Sequence, residues 1–206
     1  MKRFLLLSLA ALLLCPLAAQ AGKPVRITVL SYNIQGAKRF PTEKYAEFIQ
    51  KYQPDLVAFQ EVDYMTKRFP QKPDFLGEVA RMTGMHPVYA AAMAFSDGQY
   101  GIGLMTRFPI EAVKAFALPQ PEGSYEPRRA VTAEVRINDD LTMRFTSTHL
   151  DLPSDSIRLA QTTALTRWLS GDDTPSIVCG DFNATPDSKA IAHMKDHWQQ
   201  VCDDQL

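Results

Sequence analysis

The amino-acid sequence predicts a mixed α and β sandwich that forms one domain. Strand-like runs alternate with helical patterns over most of the chain, a mixture typical of α/β and α+β proteins. Several strand-like runs begin with apolar residues and end with polar or ionisable ones. The chain has 206 residues and no repeat, low-complexity segment or linker, so it is long enough for one domain with a substantial core.

The first half of the chain alternates strands with helices. A strand-like run ends at Asn33, and a helical pattern follows it until Pro54, which cannot continue a helix. Residues 55–62 form the second predicted strand. A second helical pattern covers residues 75–82, and Gly84 ends it.

The second half is predicted to be richer in strands. Asn138-Asp139-Asp140 is typical of a tight turn between two strands and therefore indicates a hairpin. Ser154 has the side chain of a helix N-cap and precedes a helical pattern that includes Trp168. The other predicted elements are strands at 88–95, 100–106, 112–117, 130–137, 142–150 and 176–180, and a last helix at 188–199.

Four of the predicted strands share a pattern that points to a functional site. Alternate residues of a strand lie on one face, and each alternating set here ends in polar or ionisable residues. If the strands share a core, these end residues gather at one rim, where carboxylates, amides and an imidazole suit a divalent metal ion and a phosphate group. The sets are Ile27, Val29, Ser31, Asn33; Val57, Phe59, Glu61; Leu141, Met143, Phe145, Ser147, His149; and Ile177, Cys179, Asp181, Asn183.

The N-terminal segment is predicted to be a secretory signal peptide. A basic start precedes an apolar run over residues 4–19, and Ala19-Gln20-Ala21 has the small-residue pattern of a cleavage site. The run is too short for a membrane anchor, and the residue before Cys15 is larger than lipoprotein signals usually tolerate. We therefore expect residues 22–206 to form the mature domain, periplasmic or secreted, with no transmembrane anchor.

Charge and cysteine content bear on nucleic-acid binding, disulfide formation and zinc binding. The chain has 22 Lys and Arg against 23 Asp and Glu, so charge alone does not favour non-specific nucleic-acid binding. Cys179 lies in an apolar run and is expected to be a core residue, while a disulfide with Cys202 in an oxidising compartment stays open. The sequence has no CxxC pattern, which disfavours a structural zinc site.

Each candidate site residue also has a structural explanation. Asp181 and Asn183 can orient a water and a phosphate, but Asp and Asn also favour an Asx turn at the end of a strand. Asn33 is also a turn former, Glu61 fits an ordinary strand-end acid, and a lone strand-end histidine such as His149 is more often structural than catalytic. The functional interpretation depends on their coincidence at one rim.

The motifs, in their order along the chain, resemble those of the endonuclease/exonuclease/phosphatase superfamily, which has the DNase I-like fold. The resemblance covers the chain from about Arg26 onward. It implies a four-layered α-β-β-α sandwich and cleavage of a phosphate ester that depends on a metal ion, usually Mg²⁺ or Mn²⁺. The motifs are Ser31-Tyr32-Asn33-Ile34-Gln35-Gly36, Gln60-Glu61, Tyr100-Gly101-Ile102-Gly103-Leu104-Met105-Thr106-Arg107-Phe108-Pro109-Ile110, Arg128-Arg129-Ala130, Thr148-His149-Leu150 and Gly180-Asp181-Phe182-Asn183-Ala184-Thr185-Pro186.

The same resemblance implies roles for individual residues. Glu61 resembles the principal metal ligand, and Asn33 helps to position the metal or its waters. Asp181 is similar to the aspartate that orients the attacking water, and Asn183 to the residue that holds the phosphate. His149 resembles the histidine that binds the phosphate or assists the leaving group.

Arg129 and Tyr100 are further candidates for substrate contacts. A guanidinium matches phosphate oxygens, but Arg129 fits equally well as a surface partner of Glu126 or Glu134. Tyr100 fits packing as well as binding. The substrate itself stays open between a nucleic acid, a phospholipid headgroup and a small molecule, and we expect a monomer.

The resemblance also implies a C-terminal Ser-Asp-His motif and two late strands that have no counterpart before Leu206. His193 and His197 lie on dissimilar sequence and are not assigned to that motif. Two hypotheses follow. The protein is a secreted metal-dependent phosphoesterase, or it is a remnant of the same fold that binds metal or phosphate without turnover.

Overall fold

The computed structural model describes residues 24–201, and its elements follow the predicted order. The predicted signal peptide and Cys202 lie outside the described residues. The strands are β1 (Val29–Asn33), β2 (Leu56–Tyr64), β3 (His86–Phe95), β4 (Gly98–Thr106), β5 (Ile110–Ala117), β6 (Arg129–Asn138), β7 (Leu141–His149) and β8 (Ser176–Asp181). The helices are α1 (Thr42–Tyr52), α2 (Phe75–Thr83), α3 (Asp155–Leu169) and α4 (Lys189–His197), with a 3₁₀ turn at Gln35–Ala37.

The described strands form two four-stranded sheets, each from one contiguous part of the chain. The first sheet has the order β1-β2-β4-β3, and the second has the order β5-β6-β7-β8. Each sheet is otherwise antiparallel and carries one parallel pair at an edge, β1 with β2 and β7 with β8. The carboxyl ends of these two parallel pairs carry the predicted site residues.

The two sheets pack face to face, and helices cover their outer faces. Leu104 of the first sheet and Phe145 of the second lie in the cluster between the sheets. Phe59 packs on the outer side of the first sheet, under α1 and α2. Leu150 and Leu165 belong to the corresponding cluster under α3 and α4. This order of layers confirms the four-layered sandwich.

Local signals set the helix ends. Ser154 Oγ accepts a hydrogen bond from Ile157 N at 3.3 Å, as expected of an N-cap. Gly84 ends α2 in the left-handed region, with φ 70°. The last helix ends at His197, two residues before the predicted end, because Trp198 takes extended backbone angles. Among residues 24–201, no helix has the length and apolar character that crossing a bilayer requires.

The prediction that Val57, Phe59 and Glu61 lie on one face of β2 is wrong. Val57 and Phe59 face the helices, whereas Ala58 faces the other sheet. Simple alternation would therefore turn Glu61 towards the helices. The register of β2 shifts at Glu61, which has φ 59°, and this bulge turns its side chain to the rim beside Asn33.

Candidate active site

The predicted site residues converge at one end of the sandwich, where the two sheets meet. Asn33 Nδ2 donates hydrogen bonds to Glu61 Oε1 and to Asp181 Oδ2, each at 2.8 Å. His149 Nε2 lies 3.9 Å from the same Asp181 oxygen. Asn183 follows Asp181 in the same motif, and its backbone N–H donates to Asp181 Oδ1 at 2.9 Å. Residues of β1, β2, β7 and β8 thus form one cluster.

Asn33 is a bridge between two carboxylates. Because one nitrogen donates to both, the two accepting oxygens lie no further apart than twice 2.8 Å. The other end of the amide, Oδ1, accepts from Gln35 N at 3.0 Å, which fixes the orientation of the side chain. Asn33 is therefore both a turn former and part of the cluster. In this arrangement it orients carboxylates and keeps its own oxygen for the turn.

The motif after β8 is an Asx turn that also forms a wall of the site. Asp181 Oδ1 accepts from the backbone of Asn183, while Oδ2 faces Asn33. Asn183 Nδ2 donates to Leu150 O at 2.8 Å, which holds this side chain against the end of β7. Phe182 points the other way, into the cluster under α3 and α4. The turn and the functional interpretation of this motif are therefore compatible.

Gly180 is required for the close approach of β8 to β7. A Cβ atom on Gly180, which has φ 154°, would lie 2.0 Å from Thr148 O. The strand pairing then continues by one residue and places Asp181 opposite His149. The glycine thus brings a carboxylate and an imidazole together.

Two residues of the same rim have strained backbone conformations. Glu61 has φ 59° and Asn183 has φ 48°, both in the left-handed region that costs about 1–3 kcal/mol for residues other than glycine. The hydrogen bonds of Asn33 and Leu150 to these two side chains hold the strained conformations in place.

His149 is buried and uncharged at neutral pH. Its side chain is 5% exposed, and Arg128 Nη1 lies 2.9 Å from its Nδ1. Burial, followed by the positive charge of Arg128, lowers the pKa of His149 to about 4, although Asp181 and Asp151 act in the opposite direction.

The sequence analysis did not predict the buried charge cluster of Glu126, Arg128 and Asp151 that lies beside His149. Arg128 Nη2 lies 3.0 Å from Glu126 Oε2, and Arg128 Nε lies 3.6 Å from Asp151 Oδ1. The sequence feature that could have indicated a buried arginine is the adjacent pair Arg128-Arg129. Because adjacent residues of an extended chain point to opposite sides, one of the two arginines had to face inward.

A cavity of about 280 Å³ opens beside the cluster. Glu61, His149 and Asn183 line one side of it, and Tyr100 and Arg68 line another. Burial and then the charge of Glu61 raise the pKa of Tyr100, so its hydroxyl remains protonated. The structure therefore brings Tyr100 together with the other predicted site residues.

Arg68 is the second cation that the sequence analysis missed. Its Nη2 and Nε donate to Asp63 at 2.7 and 2.9 Å. Its guanidinium carbon lies 4.6 Å from the ring centroid of Phe95 and 5.8 Å from that of Tyr100. An ion pair and three aromatic rings, the third being Phe69 at 5.3 Å, thus hold this guanidinium at the cavity, in a segment that no motif covers.

Arg129 is not among the residues that line this cavity. It begins β6, half-buried, and its side chain makes no hydrogen bond or ion pair with residues 24–201. The two acids weighed as its partners pair elsewhere, Glu126 with Arg128 and Glu134 with Arg144. Its contact with substrate phosphate stays a prediction.

A longer groove, of about 620 Å³, runs along the open edge of β8 beside α4. Asp181 and Asn183 line one end of it, and Val178, Met194 and Trp198 give the remainder an apolar wall. Cys179 faces the layer between the sheets, as predicted, and burial raises its pKa to about 12.

The donor set of the cluster fits a hard divalent cation. Two carboxylates that share one amide donor offer the oxygen ligands that Mg²⁺ and Mn²⁺ prefer. No group of three or more His, Cys, Asp or Glu side chains within residues 24–201 is placed to hold a metal ion. Glu61 and Asp181 are the two carboxylates of the cluster, and Mg²⁺ commonly completes such a set with water and substrate oxygens.

The layered sandwich and its polar rim are those of a phosphoesterase-type protein with the DNase I-like fold. The sequence profile of the Endonuclease/Exonuclease/phosphatase family matches residues 30–200. The chain therefore belongs to the Endonuclease/Exonuclease/phosphatase family, as the ordered motifs had indicated.

Solved structures with the same fold include proteins from bacteria and from humans. A conserved protein of unknown function from Enterococcus faecalis is 19% identical with a TM-score of 0.68, covering 82% of this chain and 72% of its own. A mannosyl-6-phosphatase from Bacteroides thetaiotaomicron is 16% identical with a TM-score of 0.64, covering 81% of this chain and 68% of its own. The catalytic domain of human Nocturnin, with bound sulfate, is 24% identical with a TM-score of 0.62, covering 82% and 68%.

In two further structural matches this chain covers only part of the other protein. It covers 65% of another Bacteroides thetaiotaomicron protein of the family and 53% of one from Beutenbergia cavernae. At these identities the likeness shows the fold alone.

Proposed function

We propose that the protein is a metal-dependent phosphoesterase, a phosphatase or phosphodiesterase that acts as a monomer outside the cytoplasm. The observation that carries the proposal is the joining of Glu61 and Asp181 through Asn33, beside a cavity that Glu61 and His149 line. The location rests on the predicted signal peptide.

Each residue of the cluster has a role that its contacts support. Glu61 holds the cation, Mg²⁺ or Mn²⁺, and Asn33 orients the Glu61 carboxylate. When bound, the ion supplies charge stabilisation to the phosphoryl group. Asp181, 30% exposed and 3.9 Å from His149, orients the attacking water, and Asn183 and His149, which line the cavity, hold the phosphate.

The cavity favours a small phosphate ester. Its volume of about 280 Å³ accepts a phosphate and a group of about one ring, and Arg68 and Tyr100 supply a guanidinium and a hydroxyl to its wall. The net charge of −1 gives no broad basic surface for a long nucleic acid. A small molecule or a lipid headgroup is therefore the substrate class that we favour.

Metal dependence provides the direct test. The full chain should hydrolyse p-nitrophenyl phosphate or its bis ester, lose this activity on exhaustive chelation and regain it with Mg²⁺ or Mn²⁺. The variant Glu61→Gln should not regain it. Asp173→Asn, an exposed carboxylate outside the cluster, is the matched control and should behave as wild type. Activity that survives chelation would remove the metal from the proposal.

The alternative is a protein that binds metal or phosphate without turnover. The contacts that join Glu61 and Asp181 through Asn33 would serve such binding as well as catalysis. Calorimetry separates the two functions, because Mn²⁺ binding that depends on Glu61 without hydrolysis of either ester would indicate the remnant.

A further inference from the structure

The side chain of Arg128 determines where His149 carries its proton. A neutral imidazole has one N–H donor and one acceptor nitrogen, whereas a guanidinium has donors only and stays charged. Arg128 Nη1 lies 2.9 Å from His149 Nδ1. Nδ1 is therefore the acceptor, and the ring proton is on Nε2. That nitrogen faces Asp181 Oδ2 at 3.9 Å, and the ring lines the cavity.

Arg128 is held in place by the acids around it. Glu126 Oε2 lies 3.0 Å from one terminal nitrogen, and Asp151, which is fully buried, lies 3.6 Å from Nε. Asp151 is itself fixed, because it accepts from the backbone N–H groups of Tyr125 and Leu152 at 2.8 and 3.0 Å. A buried, paired guanidinium is a rigid donor, so the orientation of the imidazole is set before any substrate binds.

We propose that Arg128 is a positioning residue that fixes His149 as the neutral Nε2–H tautomer, so that His149 donates a hydrogen bond to a phosphate oxygen. The role towards phosphate rests on the proposed function, whereas the tautomer rests on the geometry alone. A carboxylate at Nδ1 would have the opposite effect, because it would take the proton to Nδ1 and leave Nε2 as a base. In this site the imidazole is a donor, and Asp181 is left as the group that accepts from water.

The burial of His149 agrees with this assignment. An imidazolium beside a guanidinium would place two positive charges in contact away from water, which is unfavourable. The donor role requires no change of protonation during a reaction.

The tautomer can be measured directly. The full chain has four histidines, so long-range ¹H–¹⁵N spectra of ¹⁵N-histidine-labelled protein at pH 7 are simple, and His149→Asn identifies the His149 signals. We expect the Nε2–H pattern in the wild-type protein. Inorganic phosphate should shift the His149 Nε2 resonance if this nitrogen is the donor.

Variants of Arg128 test its part in this arrangement. Arg128→Met removes every donor, and His149 should then lose the single Nε2–H form and its response to phosphate. Arg128→Lys keeps a donor and should preserve the tautomer at least in part. Arg136→Met, on β6 but 53% exposed and paired with Glu111, is the matched control and should leave both signals unchanged. If Arg128→Met does not fold because Glu126 and Asp151 lose their counter-charge, Arg128→Met combined with Glu126→Gln removes one of the two unpaired charges.

Specific results would overturn the proposal. A wild-type Nδ1–H tautomer, or an unchanged Nε2–H tautomer in folded Arg128→Met, would show that Arg128 does not position the ring. A wild-type Nε2 resonance unaffected by saturating phosphate would remove the donor role. These results differ from a failure of the proposed phosphoesterase function. In that case no ester would be hydrolysed, but His149 would still show the predicted Nε2–H tautomer.

Discussion

Replacing Asn33 with aspartate tests the bridge at the centre of the site. Aspartate keeps the size of the side chain and the oxygen that accepts from Gln35 N. It replaces the donating nitrogen with an oxygen that faces Glu61 and Asp181 oxygens at 2.8 Å. The substitution therefore converts two hydrogen bonds into two repulsive contacts and leaves the fold otherwise unchanged.

The size of the effect follows from those two contacts. A hydrogen bond to a charged group contributes about 1.5–3 kcal/mol. The Asp181 side chain is 30% exposed, so solvent reduces the loss, and we expect Asn33→Asp to lower the free energy of unfolding by about 3–4 kcal/mol at pH 7. For a domain of this size that corresponds to a decrease in Tm of roughly 10 °C.

Thermal unfolding of the full chain, followed by circular dichroism in a chelator, measures this loss. Three close carboxylates hold protons more tightly in the folded variant than in its unfolded chain, so the deficit should shrink from pH 7 to pH 5. Under the proposed function Mg²⁺ binds the folded cluster, so it should also reduce the deficit. Asn138→Asp is the matched control. Asn138 Oδ1 likewise accepts from a turn N–H, that of Asp140 at 2.9 Å, but on the exposed hairpin.

The reasoning would be refuted by equal Tm values for Asn33→Asp and Asn138→Asp in the chelator at pH 7. The amide nitrogen of Asn33 would then not be the donor that joins the two carboxylates, and the apo cluster would need another source of stability.

Further predictions concern catalysis, packing and pH. Asp181→Asn should lower kcat on the order of a hundredfold with little change in KM, measured with p-nitrophenyl esters; wild-type turnover would exclude the proposed role. Gly180→Ala should lower Tm because its Cβ meets Thr148 O, whereas Gly171→Ala, with nothing within 4 Å, should not. Leu104→Ala, fully buried between the sheets, should cost about 2–5 kcal/mol in denaturant titrations. The unfolded chain protonates His149 more readily than the folded one, where the pKa is about 4, so stability should fall as pH drops from about 6.5 towards 4, and His149→Asn should flatten this dependence.

The order of elements was predictable because helix ends and turns have local causes. Gly84 ends α2 in the left-handed region, and Ser154 caps α3 with its own side chain. The hairpin between β6 and β7 follows from the turn at Asn138. Each of these features depends on residues close in sequence, so the sequence pattern is sufficient to place it.

The features that could not be predicted depend on distant neighbours. The bulge that turns Glu61 to the rim is a shift in the pairing register of β2 with β4. No residue type in this part of the sequence predicts the shift. The sequence names Asn33 but does not show which end of its amide meets the carboxylates. The inward orientation of the Arg128 side chain depends on ion pairs with Glu126 and Asp151. Asp151 follows β7, so both β6 and β7 separate it from Arg128 in sequence.

The separation of Asn33 and Asp181 by 148 residues has a consequence for the order of folding. The first sheet uses only residues from Val29 to Thr106, and the second only residues from Ile110 to Asp181. Each sheet can pair its strands from nearby chain, but the cluster does not exist until the two halves dock. Recovery of the site during refolding should therefore follow docking and lag behind strand formation, so that a chain with both sheets formed but undocked would lack the cluster of Asn33, Glu61 and Asp181.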